Sequence, residues 1–149
     1  MHFQKTLDGE FIEPAKMKLP NGLILASFSD HWKTPASFYK ILDQEFHFDF
    51  DPCPFQDPPE FDGLLVEWGK SNFVNPPYSD WQAWIFKAYE ELQKGKTSVF
   101  LLASRTDTVA FHEIILPYAN EIRFVRGRLK FSDSKQSAPF ASMVVIFKP

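Results

Sequence analysis

Ser71-Asn72-Phe73-Val74-Asn75-Pro76-Pro77-Tyr78-Ser79 is the stretch from which the rest of this chain is read. Its first four residues, ending in the apolar pair Phe73-Val74, predict a short strand. The next four stop it. Proline fixes φ and has no backbone N–H, yet its carbonyl remains an acceptor. Asn75-Pro76-Pro77-Tyr78 is therefore rigid, rich in acceptors and closed by an aromatic ring. That combination suits a flat molecule with an exocyclic NH2 group. The plain alternative is a Pro-Pro turn that only ends a strand.

Toward the C-terminus the pattern becomes helical. Ser79 is placed to cap a helix with Asp80 in its first turn. Trp81, Trp84, Ile85, Ala88 and Leu92 follow as an apolar stripe at helical spacing, which reads as core packing against a sheet. Gly95 supplies the stop. Residues 97–102 form a continuous apolar run, as expected of a strand buried on both faces. Ser104-Arg105-Thr106-Asp107 comes next, then a short helix to about Leu116. Residues 121–125 read as a strand, Gly127 as a turn, residues 128–131 as an extended piece and residues 142–147 as a last apolar strand. Residues 132–139 between them are polar and read as mobile.

Toward the N-terminus, His31-Trp32-Lys33-Thr34-Pro35 introduces another helix. Thr34 is a good N-cap and Pro35 a good first helical residue. Phe38, Ile41, Leu42 and Phe46 fall near helical spacing, which predicts a helix over about 35–45. Residues 47–51 alternate as a strand does and end hard at Pro52-Cys53-Pro54. Residues 52–63 read as an ordered, Pro-rich acidic loop. Residues 1–29, with the turn signal Pro20-Asn21-Gly22, read as an N-terminal arm or hairpin. Strand and helix alternate, so the whole of 1–149 is expected to be one α/β domain with a mostly parallel sheet. The final extended pieces lack a helix between them and are expected to pair antiparallel at one end of it.

Composition narrows the function. The chain has 149 residues, 44% of them hydrophobic, and 17 are Phe, enough for a real core. No apolar run approaches the ~20 residues of a membrane span, and Met1 to Glu10 does not read as a signal peptide. Cys53 is the single cysteine, so no intrachain disulfide forms and a reducing cytoplasm is the natural setting. No Cys/His cluster has zinc spacing, so no metal is expected. The net charge of −3 is unevenly spread. Residues 43–67 hold eight acidic groups and no Lys or Arg, whereas residues 94–135 hold eight basic groups against four acidic ones. A polyanion fits the second region, and so does ordinary surface charge.

In open α/β sheets, ligands bind beyond the carboxyl ends of the strands. Three expected strand ends carry polar residues: Asp51, Asn75 with its prolines, and Ser104-Arg105 with Asp107. Asp51 is placed to accept from ribose hydroxyls or an α-amino group, or to cap a loop. Asp49 points the same way by strand alternation. Arg105 suits a phosphate or a pairing with Asp107. Arg126, Arg128 and Lys130 flank Gly127 and read equally as phosphate contacts and as solvated cations. Cys53 reads as a small buried thiol rather than a nucleophile.

These segments also carry a resemblance. Trp32-Lys33-Thr34-Pro35, Phe48-Asp49-Phe50-Asp51, residues 73–79 with Asn75-Pro76-Pro77-Tyr78, Leu102-Ala103-Ser104-Arg105-Thr106-Asp107 and Gly127-Arg128-Leu129-Lys130-Phe131 follow in order. The series resembles the phage-type DNA N6-adenine methyltransferases of the Dam kind over about residues 30–147. The resemblance implies a compact Rossmann-like methyltransferase fold, an antiparallel C-terminal strand, and a host-cytoplasmic setting if the chain is phage-encoded. It implies that Thr34-Pro35 and Asp51 help hold S-adenosylmethionine, with Trp32, Asp49, Cys53 and Asn75 on the same side. It implies that Asn75, Pro76, Pro77 and Tyr78 are catalytic and receive an adenine flipped out of double-stranded DNA. Tyr78, Arg105, Arg126, Arg128 and Lys130 then face the DNA. RNA or protein-glutamine N-methylation and a non-catalytic binding module are the alternatives. Two departures stand out: no Gly-rich turn follows the first strand, and no separate target-recognition domain is visible. Sequence preference is then expected from residues 52–69, from residues 132–139 or from a second subunit.

Overall fold

The computed structural model describes residues 32–56, 58–130 and 137–149, and the backbone of residues 4–5 and 11–12. Strands β1 (Gln4–Lys5) and β2 (Phe11–Ile12) pair antiparallel, Gln4 with Ile12 and Lys5 with Phe11. The Pro20-Asn21-Gly22 turn, His31 and residues 131–136 lie outside the described residues. The remaining elements are α1 (Ala36–Phe46), β3 (Ser71–Val74), α2 (Trp81–Gln93), β4 (Thr97–Ala103), α3, β5 (Glu121–Phe124) and β6 (Ser142–Phe147). α3 is a π-wound stretch at Phe111–Ile115 that runs on into a turn at Leu116–Tyr118.

The main sheet has the order β3-β4-β6-β5. β3 and β4 are parallel, whereas β6 runs antiparallel to both β4 and β5. The sheet is thus mixed, with one parallel ladder of three, and not mostly parallel in its pairing. The C-terminal strand is antiparallel as expected, but it is inserted between β4 and β5 rather than added at one end. Every residue of β6 is buried, which requires neighbours on both sides and cover on both faces. β5 is left as the edge, and its charged Glu121 and Arg123 suit that place.

The sheet is covered on both faces. Strand alternation sends Phe100, Leu102, Met143, Val145 and Phe147 toward Trp81, Trp84, Ile85 and Ala88 of α2 and Phe111, Ile114 and Ile115 of α3. It sends Phe73, Val99, Leu101, Val144 and Ile146 toward Leu42 of α1, with Phe38, Tyr39 and Phe46 against them. Ile41, expected on that apolar face, is 65% exposed. α2 ends as expected: Gly95 has φ +82, its N–H donates to Leu92 O (2.9 Å), and Lys96 N–H donates to Glu91 O (3.2 Å). Its start differs, because Asp80 and not Ser79 takes the N-cap position, without a side-chain cap bond. Buried Glu91 is opposed by desolvation, yet Lys96, Lys87 and Lys94 at 2.8–3.1 Å hold its carboxyl down to about 2.

Two expectations near the site change. The strand over residues 47–51 reduces to a single parallel bridge between Phe50 and Asn72. His47 has φ 50 and Pro52 follows closely, so the regular ladder is short. α1 begins at Ala36, with Pro35 rather than Thr34 at the N-cap. The Thr34 hydroxyl instead accepts a bond from Asn75. Among the described residues, no helix is long and apolar enough to cross a membrane and no group of His, Cys, Asp and Glu could hold a metal ion.

Candidate active site

Parallel pairing decides what meets what. β3 runs with β4 and with the Phe50 bridge, so Asp51, Asn75 and Ser104 leave the sheet at one edge. β6 runs the other way, so its start reaches the same edge: Ser142 faces Ala103, and Ser104 N–H donates to Ala141 O at 2.9 Å. β5 shares the direction of β4, so its continuation toward Arg126 also emerges there. The three strand ends singled out in the sequence do converge.

A cleft of about 270 Å³ opens at this edge. Trp32, Lys33, Thr34, Asp51, Cys53 and Asn75 line it, and Tyr39, Phe55 and Phe73 add aromatic walls. Asn75 is buried at 6% exposure. Its Nδ2 donates to Trp32 O at 2.6 Å and to Thr34 Oγ1 at 2.9 Å. The Asn75 amide plane is therefore fixed by the segment that precedes α1. Pro76 is buried, and Pro77 and Tyr78 are half-buried. Burial pushes the Tyr78 hydroxyl well above the usual phenol range, against a downward pull from the Arg105 charge. The Arg105 guanidinium is thus close enough for Tyr78 to feel it, although Arg105 itself is exposed.

Asp51 is the one acidic residue among those that line the cleft. Desolvation raises its carboxyl from 3.8 to about 6, with Cys53 N–H pulling the other way. That N–H donates to Asp51 Oδ1 at 2.9 Å, an Asx turn that holds the carboxylate at the mouth of the loop. The loop is also pressed from outside. A Cβ on Gly63 would lie 1.8 Å from Pro52 O. Only a residue without a side chain lets the two backbone stretches approach so closely. Gly63 O also accepts from Trp68 Nε1 at 2.7 Å, which ties the arrangement to the core.

Some expected site residues lie elsewhere. Asp49 does not line the cleft: its carboxylate accepts from Ser71 N–H (3.0 Å) and Lys70 N–H (3.2 Å) and fixes the start of β3. Pro35 is not a lining residue but holds the first turn of α1, its carbonyl accepting from Tyr39 N–H at 3.0 Å. Arg126, Arg128 and Lys130 are exposed around Gly127 (φ +73), outside the cleft. Sequence reasoning missed Tyr39, Phe55, Phe73 and Lys33 as lining residues. Tyr39 had a signal, since it lies one helical turn beyond Pro35. It also missed Phe140, whose ring lies 4.7 Å from that of Tyr78 and 6.4 Å from that of Trp32. No local pattern marks Phe140; only the insertion of β6 brings it here.

A cleft at the carboxyl edge of an α/β sheet, with a half-buried carboxylate just after the Phe50 bridge and a clamped amide just after β3, is where domains of this class take their ligands. Residues 23–149 match the model of the DNA N-6-adenine-methyltransferase (Dam) family, and the chain belongs to that family. It is thus an enzyme, a DNA N6-adenine methyltransferase. A comparison with curated proteins returns no match.

Proposed function

We propose that this protein transfers the methyl group of S-adenosylmethionine to N6 of an adenine flipped out of duplex DNA, on a Rossmann-like framework. The observation that carries the reading is the shared cleft of Asp51 and Asn75 at neighbouring strand ends. The donor set suits the methyl donor. Asp51 and the Thr34 hydroxyl match sugar hydroxyls and an α-amino group, Lys33 matches a carboxylate, and the rings of Tyr39, Phe55 and Phe73 match a flat base. When bound, S-adenosylmethionine supplies a methyl carbon already activated by its positive sulfur.

The protein's task is then positioning more than acid–base work. The Asn75 Oδ1 and the Pro76 carbonyl accept the two N6 hydrogens of the adenine. This would localise the nitrogen lone pair and direct it at the methyl carbon. The carbon–sulfur bond would break as the carbon–nitrogen bond forms, and one N6 proton would be lost to solvent past the Asn75 and Pro76 acceptors. Bonds from Asn75 Nδ2 to Trp32 and Thr34 fix the amide's rotation, so the acceptor geometry exists before the base arrives. Tyr78 stacks on the base. A base inside a duplex cannot reach this pocket, so flipping is part of the cycle. Arg105, Arg126, Arg128 and Lys130 hold the phosphates, and their exposure is compatible with that.

The test is expression in a host without adenine methylation, followed by single-molecule sequencing of a resident plasmid. N6-methyladenine at a repeated sequence is expected. An unmodified plasmid, together with methyl transfer to RNA or protein by the purified chain, would overturn the reading.

A further inference from the structure

Tyr78 belongs to a three-ring cluster. Its ring centroid is 4.7 Å from that of Phe140 at an interplanar angle of 66°, and 6.3 Å from that of Trp32 at 70°. Phe140 and Trp32 close the triangle at 6.4 Å and 76°. All three contacts are T-shaped. Such contacts fix ring tilt through the quadrupoles of the rings. Neither contact to Tyr78 is a parallel stack, the geometry a base would adopt.

The support for Phe140 is firm. The neighbouring residue Ala138 is 1% exposed, and its N–H donates to Leu129 O at 2.8 Å. Ala141 O accepts from Ser104 N–H at 2.9 Å. The segment that carries Phe140 is thus stitched on one side to the chain after β4 and on the other to the basic stretch holding Arg128 and Lys130. Phe140 packs with Trp32, Val125 and Leu129 against the α1-side core. It is held at the strand ends although it comes from a distant part of the sequence.

We infer that Phe140 is a positioning residue: it sets the plane of the Tyr78 ring so that the target adenine stacks on a preformed surface. The inference rests on the proposed function, because it presumes that Tyr78 receives a base. Phe140 acts through Tyr78, so its effect must vanish when Tyr78 is gone.

The test is a double-mutant cycle with Phe140→Ala, Tyr78→Ala and both together. The purified chain is assayed with tritiated S-adenosylmethionine and unmethylated plasmid DNA. Phe140→Ala is expected to lower kcat/KM for DNA about tenfold, mainly through KM, and to add less than about twofold in the Tyr78→Ala background. Thermal protection by S-adenosylhomocysteine should match the unmodified chain, because Phe140 does not line the cofactor cleft. Phe140→Trp should restore most of the loss, and Phe140→Leu serves as the conservative variant if alanine prevents folding. Equal, additive losses in both backgrounds would overturn the inference, as would full activity of both Phe140→Ala and Phe140→Leu. A wild-type chain that methylates no DNA would sink the proposed function and this inference together, whereas an active wild type with indifferent Phe140 variants removes the inference alone.

Discussion

The side-chain amide of Asn75 donates to the main-chain oxygen of Trp32 at 2.6 Å, across 43 residues of sequence. One bond therefore links the motif after β3 to the segment that leads into α1. In the proposed reaction Asn75 has two tasks: its nitrogen holds Trp32 and Thr34 in place, and its oxygen accepts from the substrate. Asn75→Ala should lower kcat by at least about 10²-fold, the scale of losing one preorganised polar group. It should also weaken S-adenosylmethionine binding measurably by calorimetry, because Trp32 and Thr34 lose their tether. Thr34→Val removes only one of the two bonds and should have a smaller effect on both. Unchanged turnover in Asn75→Ala would end the assignment.

Asp51 makes a prediction about pH. Its folded-state value is raised from 3.8 to about 6, so the folded chain holds this proton more tightly than the unfolded one. The associated stability is present at low pH and is lost as pH rises from about 4 to about 6, to a limit of roughly 3 kcal/mol. Asp51→Asn keeps an acceptor for Cys53 N–H and removes the half-buried charge. It should raise the Tm of the cofactor-free protein at pH 8 by several degrees while weakening cofactor binding. For the unmodified chain, the Kd for S-adenosylmethionine should rise about tenfold per pH unit below 6, if the carboxylate is the ligand form. Calorimetry from pH 5 to 8 reads this directly, and a flat profile would exclude Asp51 from the contact.

Arg126, Arg128 and Lys130 follow β5 at the same edge as the cleft. If they neutralise phosphates, replacing all three with Ala should reduce the slope of log Kd against log salt by about 0.9 per lost contact. Fluorescence anisotropy with a duplex oligonucleotide at several salt concentrations measures it. An unchanged slope would return these residues to the role of solvated cations.

Gly63 lies where backbone approaches backbone. Any Cβ there would drive into Pro52 O, and backbone atoms cannot step aside cheaply. Gly63→Ala should destabilise the chain by about 2 kcal/mol or more and shift the loop that presents Asp51 and Cys53. Urea unfolding gives the stability, and S-adenosylhomocysteine titration gives the site. A variant with normal values for both would show that the approach to Pro52 is dispensable.

What could be read from the sequence was local chemistry. β3, α2 and β4 with the stop at Gly95 follow from apolar spacing and turn residues, and Asn75-Pro76-Pro77-Tyr78 follows from the physics of amide and proline. Asp51 drew attention as a polar residue at an expected strand end, whereas Thr34 read as a helix cap and its place in the cleft came only from the resemblance. Asp49 misled, since alternation placed it beside Asp51 whereas its carboxylate is taken up by the N–H groups that open β3.

The amino-acid order alone determined which chemical groups this protein could offer, because strand, helix and turn are set by neighbours a few residues apart. The tertiary structure decided which groups meet. It placed β6 inside the sheet, since an apolar strand of six buried residues needs partners on both sides. That placement carried Phe140 to Tyr78, while the parallel pairing of β3 carried Asp51 to Asn75 and the docking of α1 carried Trp32 to the same amide. The meeting of Asp51 with Asn75 could be anticipated from strand ends in a parallel sheet, but the other two have no local signal, because each is fixed by burial summed over the whole sheet.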